Sequence, residues 1–211
     1  LAAKQRSNEE RNSPLLHSNN VPIHPLRLCK EVRDIISRDT ILVVDGHEIL
    51  NFGRQSIPIY DVACSLNAGP HGCMGVGIPF GIGAKAARPD KPVVVLSGDG
   101  AFGWNGMEMD TAIRHKLAIV VVVSNNAGFT SRQTGRMTAS NMGLENVGRE
   151  LGYQRYDKMV EALGGYGEFV EKPDDIAPAI KRAIASGKPA LVNVCTDPEA
   201  QATTDMGFGG Y

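Results

Sequence analysis

Hydrophobic and polar positions change period repeatedly along the chain from Pro25 onward. Apolar residues at helical spacing begin the pattern, with Leu26, Cys29, Val32 and Ile36 on one predicted helix face. Short apolar runs follow and predict buried strands at 41–44, 93–96, 119–123 and 190–195, the last interrupted by Asn193, with a shorter strand near 169. Helices are expected at about 104–115, 158–163 and 174–185. This alternation predicts an α/β fold, a doubly wound and mostly parallel sheet of five or six strands with helices on both faces.

Three segments follow from composition. Residues 1–21 are polar and rich in Asn and Ser, which predicts a linker from a missing upstream domain, with a processed amino terminus as the alternative. Residues 22–197 carry the alternating pattern and form the predicted domain. Residues 198–211 are a glycine-rich tail with aromatic residues, either a lid or a disordered end. Within the domain, residues 69–88 change from glycine-rich to alanine-rich, as expected for a loop entering a closely packed helix.

Charge and cysteine content exclude several classes of protein. The 22 basic and 23 acidic residues nearly cancel, so the sequence offers no positive field for nucleic acid or an anionic membrane. The four cysteines are widely spaced without ligand spacing for zinc, and reduced thiols are expected. We find no apolar run that would span a bilayer and no secretion signal, which predicts a cytoplasmic protein.

Two polar motifs follow neighbouring predicted strands. Gly98-Asp99-Gly100-Ala101 follows strand 93–96, and Asn125-Asn126 follows strand 119–123, so both meet at the carboxyl edge where parallel sheets bind ligands. A carboxylate between glycines can bind a cation while the adjacent amides face phosphate oxygens. Asp99, the Asn126 oxygen and the Gly128 carbonyl, with two diphosphate oxygens and a water, would complete the octahedron that Mg²⁺ prefers. A helix beginning just after Gly100 would direct its positive end at the diphosphate.

Each motif alone has an ordinary explanation, a turn for the first and a loop cap for the second. Together, with 24 residues between them, they resemble the binding motif of the thiamine diphosphate-dependent enzyme superfamily. The resemblance covers about residues 22–197 and implies the carboxyl-terminal domain, with Asp99, Asn126 and the Gly128 carbonyl as metal ligands. Cofactor contacts are expected from Gly46, His47, Glu48, Gly72, Met74, Gly98, Asp99, Gly100, Ala101, Asn126, Gly128 and Phe129. His47 could equally be an ordinary loop histidine.

Gly72-Cys73-Met74-Gly75 resembles the superfamily segment that contacts the pyrimidine half of the cofactor. The resemblance implies that the Gly72 carbonyl accepts from the aminopyrimidine and that Met74 bends the cofactor, which brings its amino nitrogen to the thiazolium carbon for proton removal. The alternative is that Met74 only fills the core.

The superfamily's activating glutamate lies in another domain, usually on a neighbouring subunit, and we find no segment for that domain here. The resemblance therefore implies a partner domain or second subunit and a homo- or hetero-oligomer.

Residues 45–54 and 206–211 resemble 2-hydroxyacyl-CoA lyases and oxalyl-CoA decarboxylases. This implies cleavage of an acyl-CoA substrate to formyl-CoA and an aldehyde or ketone. An acetolactate synthase-like enzyme or a 2-oxoacid decarboxylase is the alternative. A non-catalytic phosphate- or nucleotide-binding module is a second alternative, although the first strand is not followed by the G-x-G-x-x-G of a dinucleotide site.

Overall fold

The computed structural model describes residues 2–143 and 147–202, and these form one sheet of six parallel strands. The spatial strand order is β2-β1-β3-β4-β6-β5. The strands are β1 (Ile41–Asp45), β2 (Ser65–Leu66), β3 (Val93–Gly98), β4 (Val120–Asn125), β5 (Tyr166–Val170) and β6 (Ala190–Cys195). The helices are α1 (Ala2–Leu16), α2 (Pro25–Ile35), α3 (Glu48–Ser56), α4 (Gly77–Ala87), α5 (Asp99–Asn105), α6 (Met109–Arg114), α7 (Arg132–Asn141), α8 (Tyr156–Ala162) and α9 (Ile176–Ala185).

Two hydrophobic layers cover the sheet and account for the apolar strands. Val94, Leu96 and Val122 lie on one face and pack with residues of α2, α3 and α9. Val95 and Val121 lie on the opposite face and pack with α4, α6 and α8. Alternate residues of each strand therefore enter different cores, and both faces of the sheet are buried, which confirms the predicted doubly wound α/β fold.

The strand order changes direction between β1 and β3. From β1 the chain crosses to β2 at one edge, and from β3 it crosses to β4 on the other side. The two connections diverge, so the carboxyl ends of β1 and β3 leave a crevice between them, where open α/β sheets bind their ligands. A Cβ at Gly46, just after β1, would lie 3.3 Å from the Gly98 nitrogen, so the two strand ends approach closely.

The amino-terminal segment, which its composition predicts to be a linker, contains a helix. It is helical over Ala2–Leu16, and Leu16 packs against the core. The buried Asn12 amide donates to Oε1 of Gln55 at 3.5 Å. Polar composition concealed the helix, because hydrophobic periodicity detects a helix by its apolar face and residues 2–14 contain few apolar side chains. A connection from this helix to an upstream domain stays a prediction.

The helix predicted at 104–115 begins earlier and is interrupted. Asp99 is the first residue of α5, a 3₁₀ turn spans Gly106–Glu108, and α6 follows. The interruption falls at Gly106, where a Cβ would lie 2.6 Å from the Phe102 ring, so this position combines weak helix propensity with close ring packing. The polar stretch after Gly128 also contains α7, which the sequence analysis missed. A serine immediately before Arg132 is a sequence signal for the start of a helix. In the structure the Ser131 hydroxyl accepts from the Thr134 N–H, as an amino-terminal cap does.

Candidate functional site

A cleft of about 600 Å³, partly open to solvent, lies at the carboxyl ends of β1, β3 and β4. Eleven of the twelve residues expected to contact the cofactor line it, and the exception is Gly72. Pro25, Ile49, Phe52, Ser124, Thr130 and Ala200 complete the lining and were not among the expected residues. Two motifs far apart in sequence thus share one cavity, because the parallel strands that carry them end at the same edge.

Asp99 is the buried carboxylate of this cleft. Its side chain is 1 % exposed, Oδ1 accepts from the Gly100 N–H at 2.8 Å, and Oδ2 accepts from the Gly128 N–H at 3.0 Å. Burial raises the pKa of the Asp99 carboxyl to about 7, and the amide hydrogen bonds offset only part of that effect. No basic side chain among the described residues forms an ion pair with it. A cation in the cleft would supply the missing positive charge.

The loop after β4 places the other two expected ligands next to Asp99. The Asn126 side-chain nitrogen donates to the Thr130 carbonyl at 3.1 Å, and its oxygen has no donor among the described residues. Gly128 is held by its bond to Asp99 and would bring a Cβ within 2.9 Å of the Arg149 carbonyl. Ala127 and Thr130 have positive φ values of 61° and 63°, a strained conformation for residues with side chains. The loop is therefore held in its shape by its surroundings.

The Asn125 side chain forms hydrogen bonds in the protein interior and does not line the cleft. Its side-chain nitrogen donates to Oδ1 of Asn193 and to the Gln154 carbonyl, both at 3.1 Å, and its oxygen accepts from the Ala127 N–H at 3.2 Å. Asn193 also donates to Oδ1 of Asp157 at 3.3 Å. This network fixes the loop that carries Asn126, and the sequence did not reveal it because its members lie far apart in the chain.

Glycine at position 100 leaves space for an aromatic ring. A Cβ there would lie 2.6 Å from the Phe129 ring, so Phe129 lies directly against the first turn of α5. The Gly100 N–H already donates to Asp99, which differs from the expectation that both amides beside the aspartate face phosphate. The glycine is needed at least as much for packing as for access to its amide.

The turn after β1 contributes three lining residues of different character. Gly46 approaches β3, His47 is exposed, and Glu48 is nearly buried as the first residue of α3. Oε1 of Glu48 accepts from the Thr134 hydroxyl at 3.3 Å, and Oε2 accepts from the Ala202 N–H at 3.1 Å. The Glu48 carboxylate therefore connects α3 to α7 and to the carboxyl-terminal segment.

Met74 and Gly72 lie in the loop before α4. Met74 is 43 % exposed and lines the cleft, so it is not the core residue that the alternative interpretation required. Gly72 caps the 3₁₀ turn Gly69–His71 in a left-handed conformation and lies outside the lining. The loop thus presents an apolar side chain on one side of the cleft, with Asp99 elsewhere in its lining.

Three remaining features are the possible metal ligands, the membrane-spanning potential of the helices and the carboxyl-terminal tail. The described residues contain no cluster of three or more His, Cys, Asp or Glu side chains that could hold a metal ion. A metal here would need amide, carbonyl or ligand oxygens besides Asp99. None of the helices in the described ranges is long and apolar enough to cross a membrane. The tail residues 206–211, predicted as a lid, lie outside the described residues, although Ala200 reaches the cleft.

The chain matches known proteins over most of its length. Residues 51–194 match the family model of the carboxyl-terminal thiamine pyrophosphate-binding domain of thiamine pyrophosphate enzymes. A probable acetolactate synthase of Mycobacterium bovis is 43 % identical over 87 % of this chain, and a 2-hydroxyacyl-CoA lyase of Arabidopsis thaliana is 34 % identical over 96 %. The chain covers 33 % and 36 % of these proteins, about a third of their length.

A solved structure agrees with the sequence comparisons. The thiamine diphosphate-dependent 4-hydroxybenzoylformate decarboxylase of Rhodococcus jostii RHA1 superposes with a TM-score of 0.77 and 25 % identity, over 85 % of this chain and 34 % of the decarboxylase. The family model and the solved structure both name the same cofactor. The chain belongs to the family of carboxyl-terminal thiamine diphosphate-binding domains of thiamine diphosphate-dependent enzymes.

Proposed function

We propose that this domain holds the diphosphate of thiamine diphosphate through Mg²⁺, with Asp99, Asn126 and the Gly128 carbonyl as ligands. The observation that carries the proposal is a buried carboxylate without a cationic partner, in a cleft lined by eleven of the twelve expected residues. The donor set supports it, since one carboxylate, one amide and one carbonyl leave coordination positions for phosphate oxygens and water. The high pKa of Asp99 in the metal-free protein is the property that a bound divalent cation would reverse.

The chain's own groups have distinct tasks in this proposal. Bound thiamine diphosphate supplies a nucleophilic carbon and an electron sink for carbon–carbon chemistry. Met74 would support the cofactor in a bent form, and the carbonyl of Gly72, just outside the described lining, would accept a hydrogen bond from its amino group. The carboxylate of Glu48 is engaged elsewhere and would repel phosphate, so we assign its contact to the backbone amide at the start of α3. His47 is exposed at the rim and can donate to a phosphate oxygen.

We propose further that another domain or subunit completes the site. Glu48 is the only acid besides Asp99 in the described lining, and both of its oxygens already accept hydrogen bonds. An activating glutamate must therefore come from outside this cleft. The exposure of Met74 at 43 % and of Trp104 at 64 % leaves apolar surface near the cleft for such a partner. An oligomer is the expected assembly, as for other proteins whose active sites form between chains.

Two reactions are candidates for the complete protein. A 2-hydroxyacyl-CoA lyase is favoured by the run Asp45–Arg54 and by the similarity to the plant lyase, which extends over 209 residues. An acetolactate synthase is favoured by the higher identity of 43 %, over 183 residues. The first would release formyl-CoA and an aldehyde or ketone from a thioester, and the second would join two molecules of a 2-oxoacid with loss of carbon dioxide.

The test begins with calorimetric titration of the complete protein with thiamine diphosphate, with Mg²⁺ and with EDTA. We expect saturable binding that requires Mg²⁺ and is lost in Asp99→Ala but kept in Asp61→Asn, which alters an exposed carboxylate. Equal binding in EDTA would contradict the metal assignment, and preferential binding of ADP would support a nucleotide module. Mass spectrometry of products from a 2-hydroxyacyl-CoA and, separately, from pyruvate then distinguishes the two reactions.

A further inference from the structure

The loop that carries Met74 is fixed on both sides of Gly75. The Gly75 N–H donates to Oδ2 of Asp45 at 3.0 Å, and the Gly77 N–H donates to the same oxygen at 2.7 Å. On the other side, the Asn105 side-chain nitrogen donates to the Gly75 carbonyl at 2.8 Å. One side chain at the end of β1 and one at the end of α5 therefore hold the backbone immediately after Met74.

The contacts leave the loop little room to shift. Gly75 has a φ of +91°, and a Cβ there would lie 2.8 Å from the Cβ of Trp104. A Cβ at Gly77 would lie 2.8 Å from the Cβ of Asp45. The loop backbone thus lies directly against both anchoring elements, and only glycine permits such approach. Met74, by contrast, keeps a largely accessible side chain on this fixed backbone.

Asp45 is an unusual residue for the end of a buried strand. It is 3 % exposed, its Oδ1 has no hydrogen-bond partner within the described residues, and it forms no ion pair there. Burial raises the pKa of its carboxyl, against the effect of the amide hydrogen bonds. A buried carboxyl without a cation disfavours folding. The Asp45 carboxylate instead contributes one oxygen that accepts from the amides of both Gly75 and Gly77.

The helix α5 connects this loop to the proposed metal site. Asp99 is the first residue of α5 and Asn105 is the last, so one rigid helix carries a proposed metal ligand at one end and an anchor of the loop at the other. Asp45 lies on β1, which pairs with β3, the strand that leads into Asp99. Two short routes, each closed by hydrogen bonds, therefore set the separation of Met74 and Asp99.

We propose that Asp45 and Asn105 are positioning residues that fix Met74 relative to the diphosphate site, and so set the bend of the bound cofactor. This inference rests on the proposed function. Neither residue lines the cleft. Their removal should therefore affect activation of the cofactor much more than its affinity, because the diphosphate contacts remain.

The experiment compares Asp45→Ala, Asp45→Asn and Asn105→Ala in the complete protein with Mg²⁺. Three quantities are measured: the dissociation constant for thiamine diphosphate, the rate at which the thiazolium C2 proton of the bound cofactor exchanges with deuterium, and kcat. In Asn105→Ala and Asp45→Ala we expect exchange and kcat to fall together by about tenfold or more, with the dissociation constant within about threefold. Asp45→Asn keeps an oxygen that can accept both amides, and should retain exchange within about threefold.

The control is Asp61→Ala, which removes the exposed carboxylate that accepts from the Ala63 N–H and, among the described residues, makes no hydrogen bond to the loop of Met74. All three quantities should stay at the level of the unaltered protein. Unchanged exchange in both alanine variants would overturn the inference, and so would a parallel loss of affinity and exchange, which indicates general disruption. If Asp45→Ala does not fold, Asn105→Ala alone decides. Failure of the unaltered protein to bind thiamine diphosphate would overturn the proposed function, and with it this inference.

Discussion

Substitution of Asp99 by asparagine removes the most deeply buried ionisable group of the cleft and keeps its size. Because burial raises the Asp99 pKa from 3.8 to about 7, the folded protein retains a proton that the unfolded chain has already lost at neutral pH. Ionisation of Asp99 therefore opposes folding of the metal-free protein. The opposition is absent below pH 3.8, grows as the pH rises toward 7, and is complete above about pH 7.

The size of the effect follows from the shift. One pKa unit corresponds to about 1.4 kcal/mol, so the full penalty is on the order of 4 kcal/mol, of which about 3 kcal/mol develops between pH 5 and pH 8. Asparagine does not titrate, but its single side-chain oxygen can replace only one of the two Asp99 oxygens as an acceptor. The hydrogen bond from either Gly100 or Gly128 is therefore lost, which costs about 1–3 kcal/mol. We expect Asp99→Asn to have similar stability to the native protein at pH 5 and to be more stable at pH 8.

Urea unfolding in EDTA at several pH values, followed by circular dichroism, measures this difference. Asp61→Asn serves as the control for loss of one exposed negative charge. Mg²⁺ with thiamine diphosphate should stabilise the native protein at pH 8 and leave Asp99→Asn nearly unchanged. A difference between variant and native protein that stays constant within about 1 kcal/mol from pH 5 to pH 8 would refute the argument. It would mean that Asp99 ionises in the fold without penalty.

Three further substitutions test other parts of the site. Gly100→Ala should weaken thiamine diphosphate binding in calorimetric titrations by about tenfold or more, because the new methyl group displaces the Phe129 ring, and unchanged affinity would show that the ring moves without altering the cleft. Asn193→Ala should lower the free energy of unfolding by about 1–3 kcal/mol in urea titrations, since it leaves buried partners unpaired; no loss would show that water replaces the amide. Glu48→Ala should speed amide hydrogen exchange at Ala202 by about tenfold or more, and unchanged exchange would show that other contacts hold this segment.

The sequence predicted those features that depend on local pattern. Apolar runs identified the main strands because a parallel sheet covered on both faces buries every residue of a strand. The position of Asp99 and Asn126 at one edge followed from that topology alone. Most expected residues therefore proved to line a single cleft.

Features that depend on distant contacts escaped prediction. Asp45 binds amides 30 and 32 residues later in the chain, and no local pattern marks that contact. The helices α1 and α7 are polar on most of their surface, so hydrophobic periodicity did not reveal them. Hydrophobic periodicity predicted a helix only from about residue 104, because Gly98-Asp99-Gly100 has poor helix propensity. The expected helix start just after Gly100 lies close to the observed start of α5 at Asp99.

The adjacent asparagines at the end of β4 also limit which length changes this protein tolerates. Asn125 is fixed in the interior by Asn193, while Asn126 lines the cleft, because successive strand residues point to opposite faces. Inserting one residue within β4 would move Asn125 to the place of Asn126 and Ser124 to the place of Asn125, and would leave the composition of the motif intact. The cleft would then receive the wrong asparagine. Evolution and protein engineering can therefore vary loop lengths around this site, but the residue count from the middle of β4 to Asn126 is fixed by the alternation of the strand.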